Sequence, residues 1–146
     1  MFYRTCRKID HYRAGGIDTG SFTENEFTEQ IDKNLNFFER GILKRIIDES
    51  LNGKESRIEI IPTASRIPDV VGKEYSKAFH HLGADNVDLL EIKSRENCQD
   101  KKVLARIKDA NVIFFKGGDQ LRLTSIIGGT AVHDAILEKY QNENFL

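Results

Sequence analysis

Short apolar runs alternate with longer amphipathic segments from residue 57 to the end of the chain. The short runs are rich in β-branched and aromatic residues and predict strands at residues 58–61, 87–92 and 112–115. The longer segments carry apolar residues at helical spacing and predict helices at residues 68–82, 99–109, 119–127 and 131–140. We therefore predict a three-layer α/β fold with a mostly parallel sheet, and Gly117 and Gly118 at its carboxyl edge.

The front of the chain is less regular. An apolar stripe from Leu35 to Leu51 predicts one more helix, and the Asn-Gly pair at 52–53 is a typical helix stop. Residues 1–34 are polar and show no clean period. Because no linker, repeat or low-complexity tract divides the sequence, we predict a single domain over residues 1–146, with an irregular segment at 1–34.

Composition argues against several classes of partner. The net charge of −1 gives no general electrostatic reason to bind nucleic acid or an anionic membrane. The two cysteines, Cys6 and Cys98, have no paired Cys/His spacing, so we expect free thiols, no metal site and no cofactor. No apolar run approaches the ~18 residues of a membrane span, and the N-terminus does not resemble a signal peptide. We therefore expect a cytoplasmic protein.

Two segments follow predicted strands at the edge where open α/β sheets bind ligands. Residues 62–65 (Pro-Thr-Ala-Ser) come after the first strand, and residues 116–120 (Lys-Gly-Gly-Asp-Gln) come after the third. A glycine pair lets the backbone approach a ligand closely, and the N–H groups of the next helix point toward it. These features suit an oxyanion hole or an anion site. Strand-to-helix turns also use glycine for purely structural reasons, so the motif alone leaves both interpretations open.

Candidate nucleophiles and bases are sparse. Ser65 and Ser125 lie near these segments, but the chain has no Gly-x-Ser-x-Gly elbow. We expect Ser65 to satisfy loop backbone groups and Ser125 to lie on a helix. The neighbours His80 and His81 point about 100° apart on a helix and cannot chelate one metal neatly. The sequence identifies no partner for the other histidines, His11 and His133.

Several segments together resemble one known family. The most specific is the run Gly-Gly-Asp-Gln-Leu-Arg-Leu at 117–123, combined with Pro-Thr-Ala-Ser at 62–65. A Gly-Gly-Thr turn at 128–130 and the run Gly-Gly-Ile-Asp-Thr-Gly at 15–20 add to the pattern. The chain thus resembles the N-terminal half of the cyanophycinases, serine peptidases whose wider family includes aspartyl dipeptidases. The resemblance implies a flavodoxin-like, class I glutamine-amidotransferase-like fold.

This resemblance also implies a peptide-like substrate. Cyanophycinases cleave cyanophycin, a polyaspartate backbone with arginine on its side chains, and release β-Asp-Arg dipeptides. They use a serine nucleophile and a histidine base, without a metal. By the same resemblance, Gly118 and Asp119 would supply backbone donors on the oxyanion side, and Gln120 would contact the substrate.

The sequence departs from the family pattern in three places. It ends where the next strand and its Gly-Thr-Ser-Ala-Gly elbow are expected, so the nucleophile and base are absent. We therefore predict a truncated and inactive chain with no catalytic residue of its own. Residues 7–14 are too charged for the apolar first strand of a family member. Lys116 stands where the family often has a small residue.

Two other interpretations stay open. The first is a non-catalytic fragment that associates with itself or with a partner, because the apolar strand at 112–115 would lack a neighbour at the sheet edge. That interpretation predicts a homo-oligomer. The second is a flavodoxin-like nucleotide or receiver module. It is weaker, since the chain has no phosphate loop and no clustered acidic pocket suited to Mg²⁺.

Overall fold

A computed structural model describes residues 41–143 and 145–146. The predictions for residues 1–34, for the charged stretch at 7–14 and for the helical stripe before residue 41 lie outside the described residues. The elements in chain order are α1 (Ile42–Glu49), β1 (Ile58–Ile61), α2 (Pro68–His81), β2 (Val87–Leu89), α3 (Lys101–Asp109), β3 (Val112–Phe115), α4 (Gln120–Ile127) and α5 (Ala131–Asn142). Short 3-10 helices occupy Gly53–Glu55 and Arg95–Gln99.

The three strands form one parallel sheet in the order β2-β1-β3. In register, Ile58 lies opposite Val87 on one side and Val112 on the other. All four residues of β1 are buried, as expected for a central strand with helices on both faces of the sheet. The prediction of a parallel α/β sheet is therefore confirmed.

Two details of the predicted elements are wrong. The second strand ends at Leu89 rather than at residue 92, although Leu90 and Ile92 are buried. The Leu90 N–H still donates to the Ile60 carbonyl at 2.8 Å, and the side chains of Leu90 and Ile92 are buried in the cluster that includes Ile107 of α3. An apolar pattern does not distinguish this burial from that of a longer strand. Leu51, placed on the buried stripe of α1, is 59% exposed because that helix ends at Glu49.

Alternate residues of the strands pack into two hydrophobic clusters on opposite faces of the sheet. Ile58 and Ile60 of β1 join α1 and α2 in one cluster. Ile61 joins side chains of α3, α4 and α5 in the other. Gly72 allows the close approach of α2 to β2, because a Cβ at that position would lie 2.1 Å from Leu89 Cδ1. This packing holds the carboxyl ends of the strands in fixed relative positions.

The outer edge of β3 is partly covered by the last described residues. The Leu146 N–H donates to the Asn111 carbonyl at 3.3 Å, and the Ile113 N–H donates to the Leu146 carbonyl at 2.8 Å. Lys139 supports this arrangement, since its Nζ donates to Glu143 Oε2 at 2.6 Å and lies 5.2 Å from the Phe145 ring centroid. The prediction of self-association depended on an unpaired outer edge of β3, and that edge is paired at Ile113.

A buried ion pair crosses the second face of the sheet. Glu59 of β1 is fully buried, and its carboxylate accepts hydrogen bonds from Arg57 and from Arg106 of α3. The Arg106 guanidinium contacts both carboxylate oxygens and also donates to the Leu89 carbonyl at 3.1 Å. A charge on a central strand is therefore neutralised by Arg106 of a neighbouring helix and by Arg57, which directly precedes the strand.

Among the described residues, no helix is long and apolar enough to cross a membrane. In the same part of the chain, no group of three or more His, Cys, Asp or Glu side chains is arranged to hold a metal ion. Cys98 is a buried free thiol.

Candidate functional site at the carboxyl edge

The loops after β1 and β3 meet at the carboxyl edge of the sheet. The ladder between the two strands continues for one residue, as the Lys116 N–H donates to the Ile61 carbonyl at 3.1 Å. Beyond that point, the Asp119 N–H donates to the Ala64 carbonyl at 2.9 Å. The two segments predicted separately from the sequence are therefore joined into one surface.

Gly118 makes this junction possible. A Cβ at Gly118 would lie 2.3 Å from the Ala64 carbonyl oxygen and 2.7 Å from its carbonyl carbon, closer than real side chains approach backbone. The requirement is close backbone approach rather than an unusual dihedral angle, since the positive-φ glycines of the described chain are Gly53, Gly83 and Gly129. Gly117 has open space around it, and a Cβ there would meet nothing from the surrounding structure within 4 Å.

The loop after β1 is held from two further sides. The Arg122 Nε of α4 donates to the Thr63 carbonyl at 3.1 Å. The Thr63 hydroxyl, which is buried, donates to the Ile92 carbonyl at 2.8 Å. Hydrogen bonds to α4 and to the segment after β2 therefore both fix the position of Thr63, in the loop that lies beside the glycine pair.

The three site residues implied by the family resemblance all lie exposed on this edge: Gly118, Asp119 and Gln120. The Asp119 carboxylate caps α4 by accepting the Arg122 N–H at 3.1 Å, while its own N–H is engaged by Ala64. Within the described ranges, no hydrogen bond engages the Gly118 N–H or the Gln120 side chain. These two groups are therefore the ones open to a ligand, and the roles assigned to all three residues stay predictions.

Neither serine near the site is placed as a nucleophile. Ser65 is buried, and its hydroxyl oxygen accepts the Ile67 N–H at 3.1 Å. Ser125 lies on α4, where its hydroxyl donates to the Arg122 carbonyl at 2.9 Å. Both serines thus satisfy local backbone groups, as expected from the sequence.

Lys116 is a site feature that the sequence marked only as a departure from the family pattern. Its side chain is 5% exposed, and its Nζ lies 5.8 Å from the ring centroid of Tyr75 on α2. Burial lowers the pKa of the Lys116 ammonium and raises the pKa of the Tyr75 phenol. The available signal was a basic residue directly after the most apolar strand and directly before Gly117.

An open parallel sheet with a glycine loop and a helix N-terminus at its carboxyl edge places this chain among the α/β folds, in which ligand sites generally lie beyond the strand ends. The model of peptidase family S51 matches residues 33–146 of this sequence. The chain belongs to that family.

Similar proteins agree with this assignment. A cyanophycinase of Trichormus variabilis is 39% identical over 82 residues, which cover 56% of this chain and 28% of that protein. A cyanophycinase of Synechococcus elongatus is 38% identical over 78 residues, which cover 53% of this chain and 24% of that protein. The matched stretch thus spans about a quarter of these relatives.

A solved structure shows the same fold. The crystal structure of a peptidase from an acI-B1 Actinobacterium superposes with a TM-score of 0.62 at 24% identity, over 77% of this chain and 46% of that one. The predicted resemblance to the cyanophycinase family and the predicted α/β fold class are therefore confirmed.

Proposed function

We propose that this chain forms part of a cyanophycinase-like serine peptidase that releases β-Asp-Arg dipeptides from cyanophycin. Membership of peptidase family S51 and the likeness to cyanophycinases support this proposal. The observation that carries it is the junction of Gly118 with Ala64, which leaves the Gly118 N–H and the Gln120 side chain open at the carboxyl edge.

The arrangement suggests a division of labour on the oxyanion side. In acyl transfer, preorganised N–H donors stabilise the oxyanion that forms when the nucleophile attacks the scissile carbonyl. Gly118 has an N–H available for this role. Asp119 would have to release the Ala64 carbonyl before its own N–H could serve, so its present contribution is to hold the loop. Gln120, with one amide acceptor and two amide donors, is suited to contact a peptide substrate.

The 146-residue chain by itself should not turn over substrate. It contains no Gly-x-Ser-x-Gly motif, and the hydroxyls of Ser65 and Ser125 are engaged with local backbone groups. An oxyanion hole without a nucleophile retains only a residual rate enhancement over water. We expect the nucleophile and its histidine base to be supplied from outside these 146 residues.

Two measurements on the purified chain test this proposal. Cyanophycin hydrolysis should be undetectable, and a serine-directed phosphonate should not label the chain. In an NMR titration, the β-Asp-Arg dipeptide should shift the backbone amides of residues 117–120. Gln120→Ala should weaken that binding, whereas Gln99→Ala, at an exposed site in the Arg95–Gln99 3-10 helix, should not.

Contrary results would be clear. Stoichiometric labelling of Ser65 or Ser125 would show that the chain has its own nucleophile. Dipeptide-induced shifts confined to other parts of the chain would remove residues 117–120 from the substrate site.

Self-association is a second candidate function, favoured by the outer edge of β3. Phe115 is 38% exposed there, and Leu121 of α4 is 78% exposed. Successive backbone N–H groups of a strand point to opposite sides, so the Phe115 N–H points to the same outer side as the Ile113 N–H, away from β1. The Ile113 N–H donates to Leu146, whereas the described residues offer the Phe115 N–H no partner. An apolar strand whose edge is only partly paired favours pairing with a second copy. Sedimentation equilibrium at micromolar concentration tests this, and a clean monomer would exclude it.

A further inference from the structure

Lys116 differs from the other buried charges of the described chain. Four charged side chains are buried there: Glu59, Glu74, Lys116 and Lys139. Glu59 is paired with two arginines and Glu74 with Lys77. Lys139 donates to a backbone carbonyl and to a carboxylate. Lys116 has neither a carboxylate nor a hydrogen-bond acceptor among the described residues, so its charge is uncompensated.

The Lys116 ammonium nevertheless keeps contact with solvent. Every fully buried side-chain nitrogen or oxygen in the described part of the chain has a hydrogen-bond partner. Because the Lys116 Nζ has none, it cannot belong to that fully buried set. The side chain is thus buried along its stem, with an ammonium that an incoming group can reach.

The surroundings of Lys116 favour an anion. The Tyr75 ring lies 5.8 Å from the Nζ, within the range of a cation–π contact, and it supplies no negative charge. The next residues along the chain, Gly117 and Gly118, lead to the open Gly118 N–H and the N-terminus of α4. An ammonium that is largely withdrawn from water and has no partner is costly, and a bound carboxylate would offset that cost.

We propose that Lys116 binds a carboxylate group of the peptide substrate and thereby selects ligands that carry a free α-carboxylate on the side chain next to the scissile backbone amide. This inference rests on the proposed function. A β-Asp-Arg unit fits it, because the arginine α-carboxyl group stays free when the arginine amine is joined to the aspartate side chain, and the released dipeptide carries the aspartate α-carboxylate as well. Lys116 is therefore a substrate-binding residue of this chain at a position where relatives often have a small residue.

A comparison of two ligands tests the proposal. The β-Asp-Arg dipeptide and its dicarboxamide, which lacks both negative charges, are titrated into the wild-type chain at neutral pH. The wild type should bind the dipeptide at least about tenfold more tightly, as expected for a hydrogen bond to a charged group. Lys116→Met should bind both ligands equally, and Lys116→Arg should keep most of the preference.

Lys73→Met is the matched control. Lys73 is an exposed residue of α2, so the variant loses the same charge from a solvated position and should keep the full preference. Lys116→Met should melt at the same or a higher temperature than the wild type, because an apolar isostere removes a buried charge. Melting well below the wild type would show that the Lys116 stem also contributes to packing, and the comparison of ligands on the wild-type chain then decides.

A readout without any variant keeps the proposal testable if Lys116→Met fails to fold. The NMR resonance of the Lys116 ε-carbon should move when the dipeptide is added and stay in place with the dicarboxamide. If both ligands shift residues 117–120 equally, the inference fails and the proposed function stands. If succinate moves the Lys116 resonance and the dipeptide does not, the carboxylate site stands and the proposed function fails. Absence of any shift at Lys116 overturns the inference.

Discussion

Replacement of Gly118 by alanine should separate the two loops of the candidate site. The new Cβ would lie 2.3 Å from the Ala64 carbonyl oxygen, and backbone on both sides leaves no flexible side chain to move away. Relief requires a shift on the order of 1 Å, which would stretch the 2.9 Å hydrogen bond from the Asp119 N–H to the same carbonyl.

The expected cost follows from three contributions. Overpacking in a tight contact costs about 1–3 kcal/mol. Loss of the Asp119 hydrogen bond adds about 0.5–1.5 kcal/mol. Alanine restricts the unfolded chain and returns about 0.4–1 kcal/mol. The free energy of unfolding of Gly118→Ala should therefore fall by about 0.5–4 kcal/mol.

Urea unfolding followed by circular dichroism measures this change, with Gly117→Ala as the control. A Cβ at Gly117 meets no atom within 4 Å, so that variant should stay within about 0.5 kcal/mol of the wild type or gain slightly. Hydrogen exchange of the Asp119 amide should also accelerate in Gly118→Ala alone. Equal stability of the two variants, with unchanged exchange at Asp119, would refute the proposed contact between the loops.

Two further predictions concern buried charges. Arg106→Met should lower the free energy of unfolding by about 3 kcal/mol, because Arg106 contacts both oxygens of the buried Glu59 carboxylate. Arg57→Met should lower it less, since Arg57 contacts one oxygen, and urea unfolding of both variants checks which is the less stable. Burial lowers the pKa of Lys116, so the unfolded chain binds more protons than the folded one between that lowered pKa and the ordinary value of 10.5. Wild-type stability should therefore rise relative to Lys116→Met as the pH increases toward 10.5, and a pH-independent difference between the two would contradict this.

Local sequence pattern determined most of the fold. The runs at 58–61 and 112–115 are short, apolar and bounded by turn residues, and the structure has strands at those residues. The helix predicted at 119–127 is present as α4, and Asp119 caps it by accepting the Arg122 N–H, a contact between residues three positions apart. The second strand was predicted too long because the pattern reports burial: Leu90 and Ile92 are buried, whereas the register with β1 ends at Leu89.

The sequence predicted where the candidate site lies in the sheet, but not which contacts hold its two loops together. Sequence position after parallel strands placed residues 62–65 and 116–120 at one edge, and family resemblance named Gly118, Asp119 and Gln120. The sequence left open whether the glycine pair serves close approach to a ligand or only the turn, and the structure shows close approach of Gly118 to the Ala64 backbone.

Only the tertiary structure decided which distant segments meet at the candidate site. The Asp119 N–H is occupied by Ala64, and Arg122 reaches Thr63; each pair is separated by more than fifty residues in the sequence. Neither pairing leaves a periodic trace, because periodicity records which face of an element is apolar and not which partner it meets. The burial of Lys116 belongs to the same class, since it arises where the end of β3 packs beside α2 and the loop turns away at the glycine pair.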